Sequence, residues 1–543
     1  MTDTFAAMSV AVGGIPTNYN LADLWEAVSD RVADRVAIVC GDRRVTYAEL
    51  EARANALAHH LAGVGIGPGD HVGVQILNGP EYIETMLAAF KLRAVPVNIN
   101  TRYVTSELRY LFDNAGLVAL VHGPEFAERV DEVAPEVPTL RHRLEVGTSY
   151  DAAIAASPTT RPEIERYDDD LYLLYTGGTT GLPKGVVWRH DDCFFACIGG
   201  GDPMRLNGQI EQPAELLDRI IDFDFVAYPT APMMHAAAQW TSLSWLYCGA
   251  RVVLSAGSFD PVAVWRAVET EKVATLIIVG DAMARPLIDA YVEHGPFDTS
   301  SMFAFASGGA PLTPSLKARL MELLPNTMIT DGFGSSETGA QGSQRLQPGE
   351  AFGGNTRFQP MDSGTVVLGD DLRPVEPGSG AVGKVALRGR VPIGYHGDPE
   401  RTAATFPVID GVRHVVTGDM ATVEPDGTVT LLGRGSVSIN TGGEKVFPEE
   451  VEGVVKAHPA VYDAIVVGVP DERWGEAVCA VVQLSPGATL TLEELRESAR
   501  GSIAGYKLPR YLVVVDEVQR TAVGKADYRW ALATAREGVG SDS

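Results

Sequence analysis

Residues 175–185 read Tyr-Thr-Gly-Gly-Thr-Thr-Gly-Leu-Pro-Lys-Gly and directly follow an apolar segment that resembles a β-strand. The glycines let the backbone approach an anion closely, while the threonine hydroxyls and Lys184 add donors and a positive charge. A Walker loop needs a Gly, four residues and then Gly-Lys-Ser or Gly-Lys-Thr, and this spacing differs. The stretch, called the phosphate loop below, therefore predicts binding of a nucleoside triphosphate by a chemistry outside the Walker class.

The acidity of the chain limits its partners. It has 543 residues and a formal net charge of -26, so a nucleic acid or an anionic membrane surface would be repelled. The five cysteines are scattered and form no Cys-x-x-Cys pair, which indicates reduced thiols. The sequence has no basic leader and no apolar run near the ~20 residues of a membrane span. We expect a cytoplasmic enzyme with no nucleic-acid partner and no integral membrane span. The sequence is also compatible with a homodimer.

The order of the apolar segments predicts an α/β fold. Between about residues 37 and 324, short β-branched segments alternate with helical patterns, as in parallel sheets covered by helices. Helices are expected to start at the capping box of Thr46 and Glu49 and at Pro314. Turn-rich residues from about 364 to 432 predict a small β-barrel subdomain. We expect a large N-terminal domain of doubly wound sheets at 1–432, a hinge at 433–438 and a smaller α+β C-terminal domain at 439–543.

Further motifs follow the phosphate loop in a fixed order. They are Ser307-Gly-Gly-Ala-Pro311, Asp331-Gly-Phe-Gly-Ser-Ser-Glu337, Thr417-Gly-Asp419, Gly433-Arg434 and Gly524-Lys525. With the phosphate loop, this ordered set resembles the adenylate-forming superfamily, which includes acyl-CoA synthetases, the adenylation domains of peptide synthetases and beetle luciferases. The resemblance spans nearly the whole chain.

The resemblance implies a reaction in two halves. A carboxylic acid first attacks the α-phosphorus of ATP and gives acyl-AMP and pyrophosphate, and a thiol, here coenzyme A, then takes the acyl group. The C-terminal domain is expected to swing between the two halves. Lys525 would bridge the carboxylate and the phosphate, whose repulsion as a unit pair at 4 Å costs roughly 4 kcal/mol at an effective dielectric near 20.

The resemblance also assigns residues to roles. The predicted catalytic residues are Lys525, Glu337 and His235, and the predicted Mg²⁺ ligands are Glu337 and Thr176. The predicted nucleotide- and CoA-binding residues are Thr176, Gly177, Gly178, Thr179, Thr180 and Lys184 in the phosphate loop, then Gly308, Gly309, Ala310, Asp331, Phe333, Gly334, Ser336, Asp419, Arg434, Gly443 and Lys445.

Four positions depart from the family pattern. Gly177 stands where Ser is usual, and Ser436 stands where the hinge usually has Asp or Lys. Phe333 replaces Tyr but keeps an aromatic face for adenine, and Ser336 replaces Thr but keeps its hydroxyl. Two assignments keep an alternative. His235 either gates the acid pocket or is a satisfied core residue, and Lys445 either approaches the adenylate phosphate or is a charged turn residue.

The substrate is expected to be a large apolar acid. Small residues such as Ala236, Gly308 and Gly334 leave volume, while Phe194 and Trp240 supply apolar walls. The chain is most similar to the actinobacterial fatty-acid and sterol side-chain CoA ligases. Two alternatives stay open: an acyl-AMP ligase or stand-alone adenylation protein that loads a carrier protein, and a catalytically silent ATP-binding regulatory protein.

Overall fold

The fold was examined in a computed structural model that describes residues 15–177, 182–350, 356–441, 444–471, 473–521 and 524–540. The chain divides into two compact units. The first contains residues 1–258 and 392–398, and the second contains residues 259–391 and 399–543. Within the described ranges, no helix has the length and apolar character needed to cross a membrane.

The first unit alternates strands with helices, as the sequence pattern predicts. Its helices within residues 15–258 are α1 (Leu21–Arg31), α2 (Tyr47–Gly63), α3 (Pro80–Lys91), α4 (Thr105–Asn114), α5 (Ala127–Val133), α6 (Ser149–Ala155), α7 (His190–Ala196) and α8 (Ala236–Leu246). Its strands there are β1 (Val36–Cys40), β2 (Arg43–Thr46), β3 (His71–Gln75), β4 (Val95–Asn98), β5 (Leu117–His122), β6 (His142–Glu145), β7 (Leu171–Thr176), β8 (Lys184–Arg189), β9 (Val226–Pro229) and β10 (Arg251–Leu254).

Local sequence signals fix several of these helices. The Thr46 side chain accepts from the Glu49 backbone N–H, and the Glu49 carboxylate accepts from the Thr46 backbone N–H at 2.8 Å, so the predicted capping box starts α2. Pro80 occupies the first turn of α3, where its missing N–H costs nothing. The contacts between Thr46 and Glu49 confirm the predicted capping box.

The phosphate loop lies at a sheet of the first unit. Strands pair there in the order β8-β7-β4-β3-β5-β6, with β3, β4, β5, β6 and β7 parallel and β8 antiparallel to β7. Fully buried side chains such as Val97, Leu108 and Phe112 pack between this sheet and α4. Parallel strands covered by helices are the doubly wound arrangement that the sequence predicts.

The second unit begins with another α/β layer. Its helices up to residue 391 are α9 (Pro261–Glu271), α10 (Gly280–His294) and α11 (Pro314–Leu323). Its strands there are β11 (Thr275–Ile278), β12 (Ala304–Gly308), β13 (Met328–Ser335), β14 (Gly339–Leu346), β15 (Gln359–Pro360), β16 (Thr365–Leu368) and β17 (Gly383–Arg388). Strands β11, β12 and β13 are parallel, and β13, β14 and β15 are antiparallel. Helix α11 begins at Pro314, as predicted.

The remaining strands and helices complete the fold. The strands are β18 (Gly394–Tyr395), which pairs with β8 in the first unit, and β19 (Val408–Ile409), β20 (Val412–Val423), β21 (Val429–Arg434), β22 (Ile439–Thr441), β23 (Glu444–Val446), β24 (Val461–Asp471), β25 (Gly475–Leu484) and β26 (Tyr511–Val515) in the second. The helices are α12 (Pro399–Thr405), α13 (Pro448–Val455), α14 (Leu492–Ala499) and α15 (Tyr528–Gly540).

Two sheets of the second unit position the predicted nucleotide residues. Strands β16, β17, β20, β19 and β21 form a five-stranded antiparallel sheet where the sequence predicts the β-rich subdomain. Strands β22–β26 form the sheet of the C-terminal part, covered by α13 and α15. The domain boundary at residue 432 and the hinge at 433–438 remain predictions.

Candidate active site

The phosphate loop joins two antiparallel strands. Thr176 ends β7 and pairs with Lys184, the first residue of β8. The Lys184 ammonium donates to the Tyr395 hydroxyl at 2.6 Å and lies 4.2 Å from the centre of its ring. Gly177 is exposed, and the predicted ligands Gly178, Thr179 and Thr180 lie outside the described residues. The described part of the loop therefore places Thr176 and Lys184 opposite each other where β7 ends and β8 begins.

His235 is the residue that precedes α8. Its backbone is extended, its N–H donates to the Pro232 carbonyl at 3.0 Å, and its side chain is partly buried. It lies in the first unit, next to the buried Met233 and Met234. Both readings of this histidine, as a gate and as a core residue, remain predictions.

The tip of the β13–β14 hairpin carries Glu337. Ser335 shapes this turn, because its hydroxyl accepts from the Glu337 N–H at 3.2 Å and its own N–H donates to the Thr338 hydroxyl at 2.9 Å. Gly334 is required at the bulge below the tip, because a Cβ there would lie 2.0 Å from the Gly339 carbonyl oxygen. The hairpin therefore holds the Glu337 carboxylate, together with the neighbouring Ser336, on a short and well-defined turn.

The strip predicted to line the adenine follows β12. Gly308 ends that strand opposite Gly332, and Gly309 has φ +82, a conformation that favours glycine. Phe333 lies on the adjacent strand, where its ring meets Phe358 edge to face with centroids 4.9 Å apart. Ala310 and Phe333 are both only partly buried. An aromatic face is thus available beside the strip.

Asp331 has a protein partner. Its carboxylate accepts from the Lys317 ammonium at 2.6 Å, and neither side chain reaches solvent appreciably. Lys317 also donates to Gln344 and Thr356. Burial raises the pKa of Asp331 to about 6 although Lys317 opposes the shift, and burial lowers the pKa of Lys317. The geometry gives this pair a structural role, and the predicted contact of Asp331 with a nucleotide stays a prediction.

Asp419 and Arg434 face each other on neighbouring strands. They are partners in the β20–β21 pairing, and Arg434 Nε lies 3.3 Å from Asp419 Oδ1. The Thr417 hydroxyl donates to Asp419 Oδ2 at 2.6 Å. Both carboxylate oxygens therefore have a donor, which fixes the orientation of the side chain.

A buried carboxylate lies under the start of the predicted hinge. Glu449, at the start of α13, accepts from the Arg434 N–H at 3.5 Å. Gly433 has φ +119, and a Cβ on it would lie 2.1 Å from Glu449 Oε2. Burial and the neighbouring Glu452 raise the pKa of Glu449 to about 7. The close approach explains why glycine stands at 433.

Lys525 lies on a short hairpin turn. The Thr521 N–H donates to the Lys525 carbonyl at 2.8 Å, the Lys525 N–H donates to the Thr521 hydroxyl at 3.2 Å, and Gly524 has φ +75. The residue as a whole reaches solvent, but its ammonium lies in a crowded environment. Burial and the Arg434 guanidinium lower the pKa of Lys525, against the carboxylates of Glu337 and Asp419.

The second unit therefore brings four predicted residues together: Lys525, Glu337, Asp419 and Arg434. Glu337 lies on the β13–β14 hairpin, Asp419 and Arg434 lie on the paired strands β20 and β21, and Lys525 lies on a turn before α15. The sequence order alone could not place these segments side by side. Lys445 is an exposed residue of β23 and lies opposite Asn440 in the pairing with β22. Gly443 lies outside the described residues.

The donor set fits a metal ion that arrives with a nucleotide. Glu337 supplies one partly exposed carboxylate, and among the described residues no group of three or more His, Cys, Asp or Glu side chains could hold a metal ion. Mg²⁺ usually takes one or two protein carboxylates and completes its shell with phosphate oxygens and water. One carboxylate beside a lysine and an arginine agrees with that pattern.

The chain belongs to the AMP-binding enzyme family. Residues 24–395 match that family, and residues 450–525 match the AMP-binding enzyme C-terminal domain. These matches confirm the predicted membership of the adenylate-forming superfamily and the predicted fold class. Enzymes of this family that act as ligases use ATP and CoA.

Several proteins are similar to this chain over almost all of its length. One is a medium/long-chain-fatty-acid–CoA/3-oxocholest-4-en-26-oate–CoA ligase of Mycobacterium tuberculosis, 49% identical over 526 residues, which cover 94% of this chain and 95% of that protein. Another is a 3-oxocholest-4-en-26-oate–CoA ligase of Rhodococcus rhodochrous, 47% identical over 530 residues with 94% and 95% covered. The crystal structure of the anthranilate CoA ligase AuaEII with anthranoyl-AMP has the same fold, with a TM-score of 0.85, 24% identity and 97% and 99% covered.

Sequence reasoning missed several partners of the predicted residues. Tyr395, Lys317 and Glu449 contact Lys184, Asp331 and Arg434, and the sequence analysis assigned a role to none of the three. A lysine in the middle of an otherwise apolar helix face, as at Lys317, is a signal that could have been read as a buried ion pair. Tyr395 and Glu449 carry no comparable local signal.

Proposed function

We propose that this chain is an AMP-forming acyl-CoA synthetase that activates a bulky apolar carboxylic acid. A carboxylate oxygen bonds to the α-phosphorus of ATP while the bond to the bridging oxygen of the β-phosphate breaks, which releases pyrophosphate. The sulfur of CoA then bonds to the acyl carbon, and AMP leaves with the electrons of the broken C–O bond. The thiol proton passes to solvent or to a base.

The observation that carries this proposal is the group formed by Lys525, Asp419, Arg434 and Glu337. An ammonium and a guanidinium beside two carboxylates suit a ligand that has both a polyphosphate and a ribose. Asp419 would accept from the ribose hydroxyls, and its orientation is already fixed by Thr417 and Arg434. Lys525 would stabilise the negative charge that the acid and the α-phosphate bring together.

Glu337 would hold Mg²⁺ together with phosphate oxygens of the nucleotide, and Thr176 is the second predicted ligand. When bound, the ion would supply charge neutralisation for the leaving pyrophosphate. The residues of this chain would do the rest: Lys525 orients the attack, and Arg434 and Asp419 bind the nucleotide.

The choice of a large apolar acid rests on the relatives and on composition. Two relatives that are 47% and 49% identical carry names that specify a steroid side-chain acid or medium- and long-chain fatty acids. Phe194 and Trp240, which the sequence analysis assigns to the acid pocket, are buried apolar residues of the first unit. The cytoplasmic location and a homodimer remain predictions from the sequence.

The test is exchange of labelled pyrophosphate into ATP across a panel of acids. The panel contains octanoate, palmitate, a steroid with a carboxylated side chain, benzoate and acetate, each with Mg²⁺. We expect exchange with the first three and formation of the corresponding CoA thioester by mass spectrometry. Exchange without any thioester, followed by acylation of a phosphopantetheinyl carrier protein, would instead support a carrier-loading enzyme. No exchange with any acid would support a silent ATP-binding protein.

A further inference from the structure

A buried lysine connects two parts of the second unit that are far apart in sequence. Lys456 follows α13, and its ammonium lies 3.2 Å from Asp281 Oδ2 and 3.5 Å from Asp463 Oδ1. The Lys456 and Asp281 side chains are each only 5% exposed. Burial lowers the pKa of Lys456, but the carboxylates of Asp281 and Asp463 more than offset this effect, so the pKa lies above its ordinary value. Lys456 is therefore a cation that links the carboxylates of Asp281 and Asp463.

Asp281 belongs to the α/β layer of residues 259–391. It lies in the first turn of α10, where its N–H donates to the Pro311 carbonyl at 3.0 Å. Its Oδ1 accepts from the Thr313 N–H at 2.8 Å. This carboxylate is thus held in place independently of Lys456.

Lys456 and Asp463 lie on the other side of the predicted hinge at 433–438. The bridge therefore joins the α/β layer to the C-terminal part of the chain across 175 residues. Near it the Tyr462 hydroxyl donates to Asp289, also on α10, at 3.2 Å, but that contact is exposed. The bridge is the buried one of these two contacts, so solvent and salt screen its Coulomb attraction less than they screen the exposed contact.

The bridge continues to the turn that carries Lys525. Asp463 accepts from Arg520 Nε at 2.8 Å and from Arg520 Nη2 at 2.6 Å, a bidentate pair. Arg520 Nη1 donates to the carbonyl oxygen of Gly524 at 3.1 Å. A continuous series of polar contacts therefore leads from Asp281 to Gly524, the residue before Lys525. Its intermediate members are Lys456, Asp463 and Arg520.

The same turn also packs directly on α10. Gly524 lies so close to Ala282 that a Cβ on the glycine would be 3.0 Å from the Ala282 Cβ. Ala282 follows Asp281 in sequence. The start of α10 therefore contacts the Lys525 turn in two ways. Ala282 packs against Gly524, and Asp281 is connected to Gly524 through the polar contacts of Lys456, Asp463 and Arg520.

We propose that Asp281 and Lys456 form a latch that holds Lys525 in place while acyl-AMP forms and that opens before the acyl group is transferred to CoA. The inference rests on the proposed function, because it assigns the pair to one of the two half-reactions. Asp281 and Lys456 are positioning residues in this scheme: they act through Asp463, Arg520 and the turn, and neither touches a reacting atom.

The experiment separates the two half-reactions in the full-length protein. The first is measured as acid-dependent exchange of pyrophosphate into ATP, and the second as thioester formation from CoA and the synthetic acyl adenylate of the most active acid in the panel. We expect Lys456→Met and Asp281→Asn each to lower exchange about tenfold, while the thioester rate stays within about twofold of the wild type. The double variant should exchange no more slowly than the slower single variant, because all three lack the same interaction.

Two further variants act as controls. Lys456→Arg keeps a charge that can bridge both carboxylates, so most of the exchange activity should return. Tyr462→Phe removes the exposed contact to Asp289 on the same helix and should leave both half-reactions within about twofold of the wild type. Thermal unfolding of each variant shows whether the fold is retained.

The outcomes distinguish the latch from the function on which it rests. Unchanged exchange in both single variants, or equal losses in both half-reactions of a folded variant, would overturn the latch. A wild-type protein that is inactive in both half-reactions with every acid would instead overturn the proposed function. Selective loss of exchange with recovery in Lys456→Arg supports the latch.

Discussion

Arg434 and Asp419 occupy opposite positions in the β20–β21 pairing, with Arg434 Nε 3.3 Å from Asp419 Oδ1. The arginine is the second residue of the predicted hinge, and the aspartate is the predicted ribose ligand. Any rotation of the chain around residues 433–438 therefore starts next to the carboxylate that is predicted to bind the ribose. This proximity suggests a physical route by which nucleotide occupancy and domain movement affect each other.

Replacement of the lysine beside these residues should abolish the first half-reaction. We expect Lys525→Ala to lower pyrophosphate exchange about 100-fold or more, because a preorganised cation no longer meets the developing charge. The lowered pKa of Lys525 predicts that wild-type exchange declines on the alkaline side below pH 10.5, the ordinary value for lysine. Lys272→Ala, which removes an exposed lysine paired with Asp298, is the matched control and should exchange normally. Normal exchange by Lys525→Ala would contradict its catalytic role.

The orientation of Asp419 should matter for nucleotide affinity. Thr417→Val removes the hydroxyl that donates to Asp419 Oδ2 at 2.6 Å. We expect KM for ATP to rise by about tenfold with a smaller change in kcat, since hydrogen bonds to charged groups contribute about 1.5–3 kcal/mol. Thr430→Val is a useful comparison, because Thr430 donates to Glu424 at 2.8 Å on the same sheet. An equal rise of KM in both variants would show that the sheet, and not Asp419, is responsible.

Stability should depend on pH through Glu449. Its pKa in the folded protein is about 7, above its ordinary 4.5, so the folded protein holds this proton more tightly than the unfolded chain. The resulting stabilisation is complete below pH 4.5 and is lost as the pH rises through about 7. Glu449→Gln stays neutral, so its Tm should exceed that of the wild type by a margin that grows between pH 4.5 and about 7 and then levels off.

That margin is measured by thermal unfolding of both proteins at matched ionic strength from pH 4.5 to 8.5. Glu444→Gln alters an exposed carboxylate on β23 and should give no such trend. A constant difference across the whole range for Glu449→Gln would mean that Glu449 titrates at its ordinary value in the folded protein.

Removal of one partner of the buried Lys317–Asp331 pair should strongly destabilise the protein. Lys317→Met leaves a carboxylate buried without its partner, and we expect the free energy of unfolding to fall by about 3–5 kcal/mol. Adding Asp331→Asn removes the stranded charge and should recover much of the loss. Denaturant unfolding measures both, and Lys272→Met, which breaks an exposed pair, should change stability by less than about 1 kcal/mol. No recovery in the double variant would indicate that packing, not charge, sets the cost.

Much of the local structure was readable from the chain itself. The capping box of Thr46 and Glu49 and the helix start at Pro314 depend on residues within a few positions of one another. Such signals work because capping and φ restriction act over a single turn of backbone. Lys525 and Glu337 became candidates in a different way, through the resemblance of the ordered motifs to the adenylate-forming superfamily.

The neighbours of those candidates came only from tertiary structure. The facing of Asp419 and Arg434 depends on strand register, and the bridge from Lys456 to Asp281 joins residues 175 positions apart. Burial then sets the charge state and the partner of each group. Asp331 and Lys317 form a buried ion pair, and burial raises the pKa of Glu449 to about 7. The sequence by itself determined which groups could do chemistry. Only the folded chain decided which of them meet and in what charge state, because Coulomb energy and desolvation depend on distance in space and not on distance along the chain.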